Sequence, residues 1–235
     1  MKLLISILLL TLACPVWSET GQVSGSSNLL PKLQKYVDET AAELNLVPSA
    51  RKPVLKAIAT DIKERLADGK PADLTFICTH NSRRSHMSQI WAQTAALYYG
   101  LTNVYAFSGG TEVTACNLRT ITAMRRAGFE IEDATQGDNP LYLVKYAPDR
   151  PQIRVYSKLY NADGNPSEGF IALMTCSSAD QKCPVVQGAI ARHAIHYIDP
   201  RLCDDTPTET QAYNERCREI AREMFYIMSE VTGSR

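Results

Sequence analysis

The chain has 235 residues, 25 basic and 25 acidic side chains, and seven cysteines. That length allows one α/β domain with a sizeable core plus some extra structure, and is short for two full domains. The balanced charge argues against nucleic acid or an anionic membrane surface as the partner.

Lys2 precedes an uncharged, mostly apolar run over residues 3–13, followed by Pro15, Val16, Trp17 and Ser18. This is the pattern of a secretory signal peptide over 1–18, with cleavage after Ser18. The run is shorter than the roughly 20 apolar residues of a spanning helix, which ranks an uncleaved anchor second. Lipid attachment at Cys14 ranks third, because Thr11 suits it poorly and Pro15 follows directly. The expectation is an exported, periplasmic protein in which six cysteines remain.

Residues 19–72 are expected to form a linker and an N-terminal helical extension, and residues 73–235 a catalytic domain. The linker is the Gly/Ser-rich stretch 21–28. Leu30, Leu33, Val37, Ala41 and Leu44 recur at helical spacing, as do Leu55, Ile58, Ala59, Ile62 and Leu66, with Gly69 as a stop. From Leu74 strands and helices alternate. Strands are predicted at 74–78, 104–107, 141–146, 153–158, 170–175 and 194–198. Helices are predicted from Ser85, over 117–127 up to Gly128, and after Thr206. There Pro207 and Glu209 suggest a capping box. The alternation predicts an α/β fold: a mainly parallel, twisted sheet with helices on both faces, and ligands at the carboxyl ends of its strands. The segment 139–169 is expected to be a β-hairpin inserted between core elements and shaping a larger mouth.

Between the first strand of this domain and the following helix runs Cys78-Thr79-His80-Asn81-Ser82-Arg83-Arg84-Ser85. A cysteine acts as a nucleophile only as thiolate, and its free pKa of about 8.5 leaves little of that at neutral pH. A helix N-terminus and the Arg84 guanidinium both favour the anion. The same features build an oxyanion site, with backbone N–H groups pointing inward and a planar fork on Arg84. Asn81 and Ser85 are placed to fix the loop and to hydrogen-bond the sulfur. The competing expectation is an inert, buried cysteine at a strand end.

The segment resembles the phosphate-binding loop of low-molecular-weight protein tyrosine phosphatases and of the thioredoxin-coupled arsenate reductases that share their fold. That pattern is Cys, five residues, Arg, Ser, with Asn third after Cys. Cys78, Asn81, Arg84 and Ser85 match it. The resemblance covers roughly residues 74–231 and implies Cys78 as nucleophile and Arg84 as oxyanion clamp. It also implies oxyanion binding by the loop residues Thr79, His80, Asn81, Ser82, Arg83 and Ser85. The pair Asp199-Pro200 stands where the family carries its general acid, which implies that role for Asp199.

A second segment, Cys176-Ser-Ser-Ala-Asp180-Gln-Lys-Cys183-Pro184, is similar to the redox segment of the arsenate reductases. The resemblance implies a relay: Cys78 attacks arsenate, Cys176 attacks Cys78 and expels arsenite, and Cys183 then takes over Cys176. The relay segment must move, so it is expected to be loosely held. A thioredoxin-like donor would restore the dithiol, with no other cofactor and no metal. From the residues alone, a structural Cys176–Cys183 disulfide and, more remotely, metal binding remain open. Arsenate reduction is therefore expected first, and phosphomonoester hydrolysis, on phosphotyrosine, second. An oxyanion- or phosphoprotein-binding module without turnover comes third. Cys116, Cys203 and Cys217 have no assigned role.

Overall fold

A computed structural model describes residues 28–234. The expected signal peptide and most of the expected linker lie outside the described residues. Among the described residues no helix is long and apolar enough to cross a membrane.

The chain begins with α1 (Pro31–Ala41), a short 3-10 turn (Leu44–Leu46) and α2 (Lys52–Ala67). It continues through β1 (Ala72–Cys78), α3 (Arg84–Tyr98), β2 (Val104–Gly110), α4 (Leu118–Ala127), β3 (Glu130–Asp133), β4 (Tyr142–Lys145) and β5 (Ile153–Val155). It closes with β6 (Phe170–Met174), α5 (Ser177–Lys182), β7 (Ala189–Ala194), a 3-10 turn (Pro200–Cys203) and α6 (Glu209–Thr232). The strands β2-β1-β6-β7 form one sheet, and every neighbouring pair in it is parallel. The strands β3-β4-β5 form a separate antiparallel sheet.

The parallel sheet is an α/β layer structure with helices on both faces, as the alternation predicted. Leu74 and Phe76 of β1, with Ile171 and Leu173 of β6, share one apolar core with α1, α2, α3, α4 and α6. Ile77, Ala172 and Met174 point the other way and pack with Ala179 of the short α5. Alternate residues of a strand face opposite sides, which is why one strand serves both cores. Trp91 of α3 sits at the hub of the larger core. Its ring stacks on Tyr36 of α1 at 5.3 Å and meets Phe129 edge-on at 4.9 Å and Phe225 of α6 at 6.4 Å. The N-terminal helices therefore bury their apolar stripes in the same core as the sheet. Gly128 shows how close the fit is: its backbone lies at φ 111°, and a Cβ there would stand 2.6 Å from the amide nitrogen of Leu33 in α1.

Several elements differ from expectation. The last sheet strand is β7 at Ala189–Ala194, not 194–198. Its polar residues are spent on tethers, His193 to Asp61 of α2 and Arg192 to Asp180 of α5, so they break the apolar signal that marks a strand. The apolar stretch after it still runs beside the sheet, with Ile195 N–H donating to Met174 O at 2.9 Å and Tyr197 N–H to Thr175 O at 3.1 Å. The capping box at Thr206 does not form. Helix α6 starts at Glu209, and the Glu209 carboxylate instead accepts from the Asp205 amide at 2.7 Å and pairs with Arg119. The hydroxyl of Thr206 donates to Cys203 O. Asp205, at φ 61°, turns the chain before the helix can begin. The expected hairpin in 139–169 is present as β4 and β5, joined on one side by β3.

Candidate active site

Cys78 is the last residue of β1, at the carboxyl end of a central strand. The next turn wraps into the N-terminus of α3, which begins at Arg84. The loop is shaped from outside. The carbonyl of Cys78 accepts from Thr111 N–H, that of Thr79 from Glu112 N–H, and that of Ser82 from Asn117 N–H. The His80 carbonyl accepts from the hydroxyls of Ser157 at 2.8 Å and Thr114 at 3.2 Å. A trans peptide points its N–H opposite to its carbonyl. With these carbonyls turned outward, the amides of Thr79, His80, Asn81 and Arg83 face the concave side of the loop. The result is a nest of donors at a helix start, the backbone arrangement that binds an anion.

Asn81 and Ser85 hold this shape from behind and do not line the cleft; both are fully buried. Asn81 sits at φ 44°, in the left-handed region that Asn tolerates better than most residues. Its amide donates to Ser85 Oγ at 2.9 Å and its Oδ1 accepts from Lys158 N–H at 3.1 Å. Ser85 Oγ lies 3.1 Å from Cys78 Sγ. Gly110, opposite Cys78 in the sheet, must be glycine: a Cβ would meet Glu112 O at 2.5 Å, Thr79 O at 2.7 Å and Asn81 N at 2.9 Å.

The loop opens into a cleft of about 480 Å³ lined by Cys78, Thr79, His80, Ser82, Arg83 and Arg84 from the loop side. Asp199, Arg201 and Leu202 form its facing wall, and Glu112, Ser178 and Lys182 part of its rim. Arg84 spans it, donating from Nη1 to Tyr197 O at 2.9 Å and from Nη2 to Asp199 Oδ2 at 2.8 Å. Asp199 also caps the 3-10 turn through Arg201 N–H at 3.2 Å. Arg83 is held by Tyr213 OH at 3.0 Å and lies near Asp204. His80 contacts Glu112 at 3.3 Å, and Lys182 reaches the same carboxylate at 3.1 Å. The structure thus brings a thiol, a guanidinium fork and a carboxyl to one cleft, the set needed for attack on a tetrahedral oxyanion and protonation of its leaving oxygen.

His86 belongs to the core and not to the cleft. Burial pushes its pKa down to about 3, so the ring stays neutral, and Nδ1 lies 3.1 Å from Ser108 Oγ. Burial likewise pushes the thiols of Cys116 and Cys217 up, the latter to about 11, which keeps both protonated and unreactive.

Cys176 and Cys183 flank α5. Cys176 is buried, 3.5 Å from the hydroxyl of Thr79, and shares its apolar cluster with Cys78. It is the N-cap of α5, with Sγ accepting from Ala179 N–H at 3.4 Å, and Cys183 is the C-cap. All the described cysteines are free thiols. A separation of seven residues along a helix spans about 10 Å, beyond the roughly 7 Å Cα limit for a disulfide. The two sulfurs can therefore join only if α5 unwinds. Little apolar packing holds the helix: its one buried residue is Ala179. The rest is held by polar ties, from Arg192 to the carbonyls of Asp180 and Cys183, from His196 to Asp180 at 3.0 Å and from Lys182 to Glu112.

The segment 139–169 does not form the cleft mouth. None of its residues lines the cleft; Ser157 and Lys158 brace the loop from behind. Sequence reasoning missed Glu112, Lys182 and Tyr197. The first two are exposed charges with no motif, and Tyr197 acts through its backbone carbonyl, to which side-chain patterns are blind.

No family model matches the chain. It is 30% identical over 145 residues to an arsenate reductase from Bacillus licheniformis, an alignment spanning 61% of this chain and 85% of that protein. An arsenate reductase from Bacillus subtilis is 27% identical over 144 residues, again 61% of this chain and 85% of that protein. Among solved structures, a low-molecular-weight protein tyrosine phosphatase from T. tengcongensis superposes with a TM-score of 0.46 at 14% identity, covering 67% of this chain and 98% of the other.

Proposed function

Because the chain belongs to the low-molecular-weight protein tyrosine phosphatase and arsenate reductase superfamily, whose members are cysteine-dependent enzymes, we propose that it is an arsenate reductase. The observation that carries this is Cys176, a second thiol packed against the nucleophile loop, with a third, Cys183, at the other end of the short helix that Cys176 caps.

The Cys78 thiolate attacks arsenic, the arsenic–oxygen bond breaks, and the oxygen leaves as water with a proton from Asp199. Arg84 and the inward loop amides hold the remaining oxygens; the incoming oxyanion competes for the fork that Asp199 now occupies. Cys176 then attacks Cys78 Sγ. The sulfur–arsenic bond breaks and its electron pair stays with arsenic, which leaves as arsenite while two thiols become one disulfide. Cys183 attacks Cys176 as α5 unwinds, which frees Cys78. A thioredoxin-like dithiol reduces the Cys176–Cys183 disulfide. With the 1–18 segment acting as an export signal, that donor resides in the periplasm. N-terminal sequencing of the secreted protein checks this, with Glu19 as the expected first residue.

The test mixes fully reduced protein with arsenate and no external reductant. One arsenite per chain with a new Cys176–Cys183 disulfide is expected. Arsenite absent, with both thiols free, would discard the reductase. The second reading is then hydrolysis of phosphomonoesters through a phosphocysteine, which needs only Cys78, Arg84, Asp199 and water.

A further inference from the structure

A second cavity, of about 740 Å³, shares no lining residue with the catalytic cleft. It lies between the outer half of α3, the strand β2 and the inserted segment, and this size suits a small-molecule ligand. Its wall is rigid. The side-chain amides of Gln89 and Gln93 are committed to Ala106 O, Ser108 Oγ, Val104 O and Ala106 N.

Lys158 stands out in this wall. It is 8% exposed, and its ammonium makes no hydrogen bond or ion pair with any of the described residues; its contact is the face of the Tyr156 ring, 4.8 Å away. Asp149 and Asp163 line the cavity, yet neither pairs with it. Arg154, a second cation on the same wall, adds repulsion. Burial first, and Arg154 second, lower the lysine to about 8, so it remains charged at neutral pH, without a carboxylate partner among the described residues. The stem is buried while the ammonium stays open to the cavity, and a cation held there with no carboxylate beside it is free to take an anion from solution. Tyr156 and Tyr105 are among the other lining residues, Tyr156 with its ring under the ammonium and Tyr105 nearly half exposed.

We propose that this cavity is a binding site for a small organic anion that carries a flat ring, of the size of a nucleoside monophosphate, with Lys158 and Arg154 taking the anionic group and the tyrosines the ring. The site is independent of the arsenate chemistry, so it stands or falls separately from it.

The test is calorimetric titration of adenosine 5′-monophosphate into the full chain, with Lys158→Met, Lys158→Gln and Arg84→Ala alongside. One equivalent should bind to the wild type at submillimolar Kd, persist in Arg84→Ala, and weaken at least tenfold in both lysine variants. The Tm of ligand-free Lys158→Met should be at or above that of the wild type, because the substitution removes a partly desolvated charge with no carboxylate partner among the described residues. Absence of binding up to 10 mM overturns the proposal, as does loss of binding in Arg84→Ala, which would put the nucleotide in the catalytic cleft. A lowered Tm in both lysine variants also overturns it, since Lys158 would then be a structural cation.

Discussion

Replacing Arg51 by methionine should weaken both the fold and the catalytic cleft, although Arg51 precedes the first helix turn of α2 and reaches the site only through Tyr197, whose ring centroid lies 5.2 Å from its guanidinium carbon. Arg51 forks onto Glu223 of α6, with Nε and Nη2 each 2.7 Å from a carboxylate oxygen. Glu223 also accepts from Tyr197 OH at 2.8 Å, and the Tyr197 carbonyl anchors Arg84. The side chain of Glu223 is 2% exposed and that of Arg51 24%. Removal of the arginine therefore strands a buried carboxylate, whereas removal of the glutamate charge leaves a guanidinium that water still reaches. Breaking a buried pair costs about 3–5 kcal/mol, and the partial exposure of Arg51 points to the lower end. For a chain of this size each kcal/mol is worth about 2–4 °C, so Arg51→Met should lower Tm by about 6–12 °C. Glu223→Gln should cost about 1 kcal/mol. The double variant should cost less than the sum, because the glutamine needs no counter-charge. As Tyr197 loosens, kcat/KM for arsenate reduction, or for aryl phosphate hydrolysis, should fall by about 10- to 100-fold. Thermal melts and steady-state kinetics on the three variants provide the assay. An Arg51→Met protein within about 1 kcal/mol of the wild type and with unchanged kcat/KM would refute the chain from α2 to Arg84.

Cys176→Ser should abolish multiple-turnover arsenate reduction and spare hydrolysis of an aryl phosphate, measured on the same preparation; equal losses in both would argue against the division of roles. Arg84→Lys exchanges a fork for a point charge that cannot hold Tyr197 O and present two further N–H groups to an oxyanion, and kcat/KM should drop by about 10²–10³-fold in either assay. Lys158→Met should stabilise the protein at pH 7 by at most about 3 kcal/mol, the equivalent of a lysine lowered from 10.5 to about 8. The sign follows from proton binding. The fold disfavours the charged form, so its cost is fully felt below pH 8. Between pH 8 and 10.5 the unfolded chain holds a proton that the fold has released, and wild-type stability recovers. Denaturant melts of both proteins at pH 7 and pH 10 should therefore converge at the higher pH, and a constant difference would count against the burial of Lys158. Gly110→Ala should remove activity altogether while far-UV circular dichroism keeps its shape, since the new methyl collides with the Glu112 carbonyl and two backbone atoms of the catalytic loop.

The features legible in the sequence were those carried by side-chain type at fixed spacing. Cys78, Asn81, Arg84 and Ser85 between an apolar strand and an amphipathic helix announced the loop, and its structure follows from them. The helical stripe of Leu55, Ile58 and Ile62 announced α2, whose place against α6 then made Arg51 matter. What stayed hidden had a physical reason in each case. Helix α5 is six residues of Ser, Ala, Asp, Gln and Lys, too short and polar to leave a period, and it is marginal as a helix for the same reason. Strand β3 is Glu-Ile-Glu-Asp at the edge of a small sheet, where one apolar residue is enough. Strand β7 uses Arg192 and His193 for ion pairs, which reads as polar loop. Glu209 reached back as a capping glutamate would, but to Asp205, because the left-handed turn there delayed the helix. The inserted segment signalled its strands through alternation, while its position behind the loop depends on Ser157 and Lys158 meeting the backbone of His80 and the side chain of Asn81, contacts 77 residues apart in the chain.

The relay from Cys78 through Cys176 to Cys183 can be caught halfway in a Cys183→Ser variant. The reduced variant is mixed with one equivalent of arsenate, quenched with acid, and its disulfides are mapped by mass spectrometry while arsenite is counted. One arsenite per chain and a trapped Cys78–Cys176 disulfide are expected, since the variant lacks the thiol that completes the exchange. Unreacted arsenate, or arsenite released with Cys78 and Cys176 both still free, would contradict the relay.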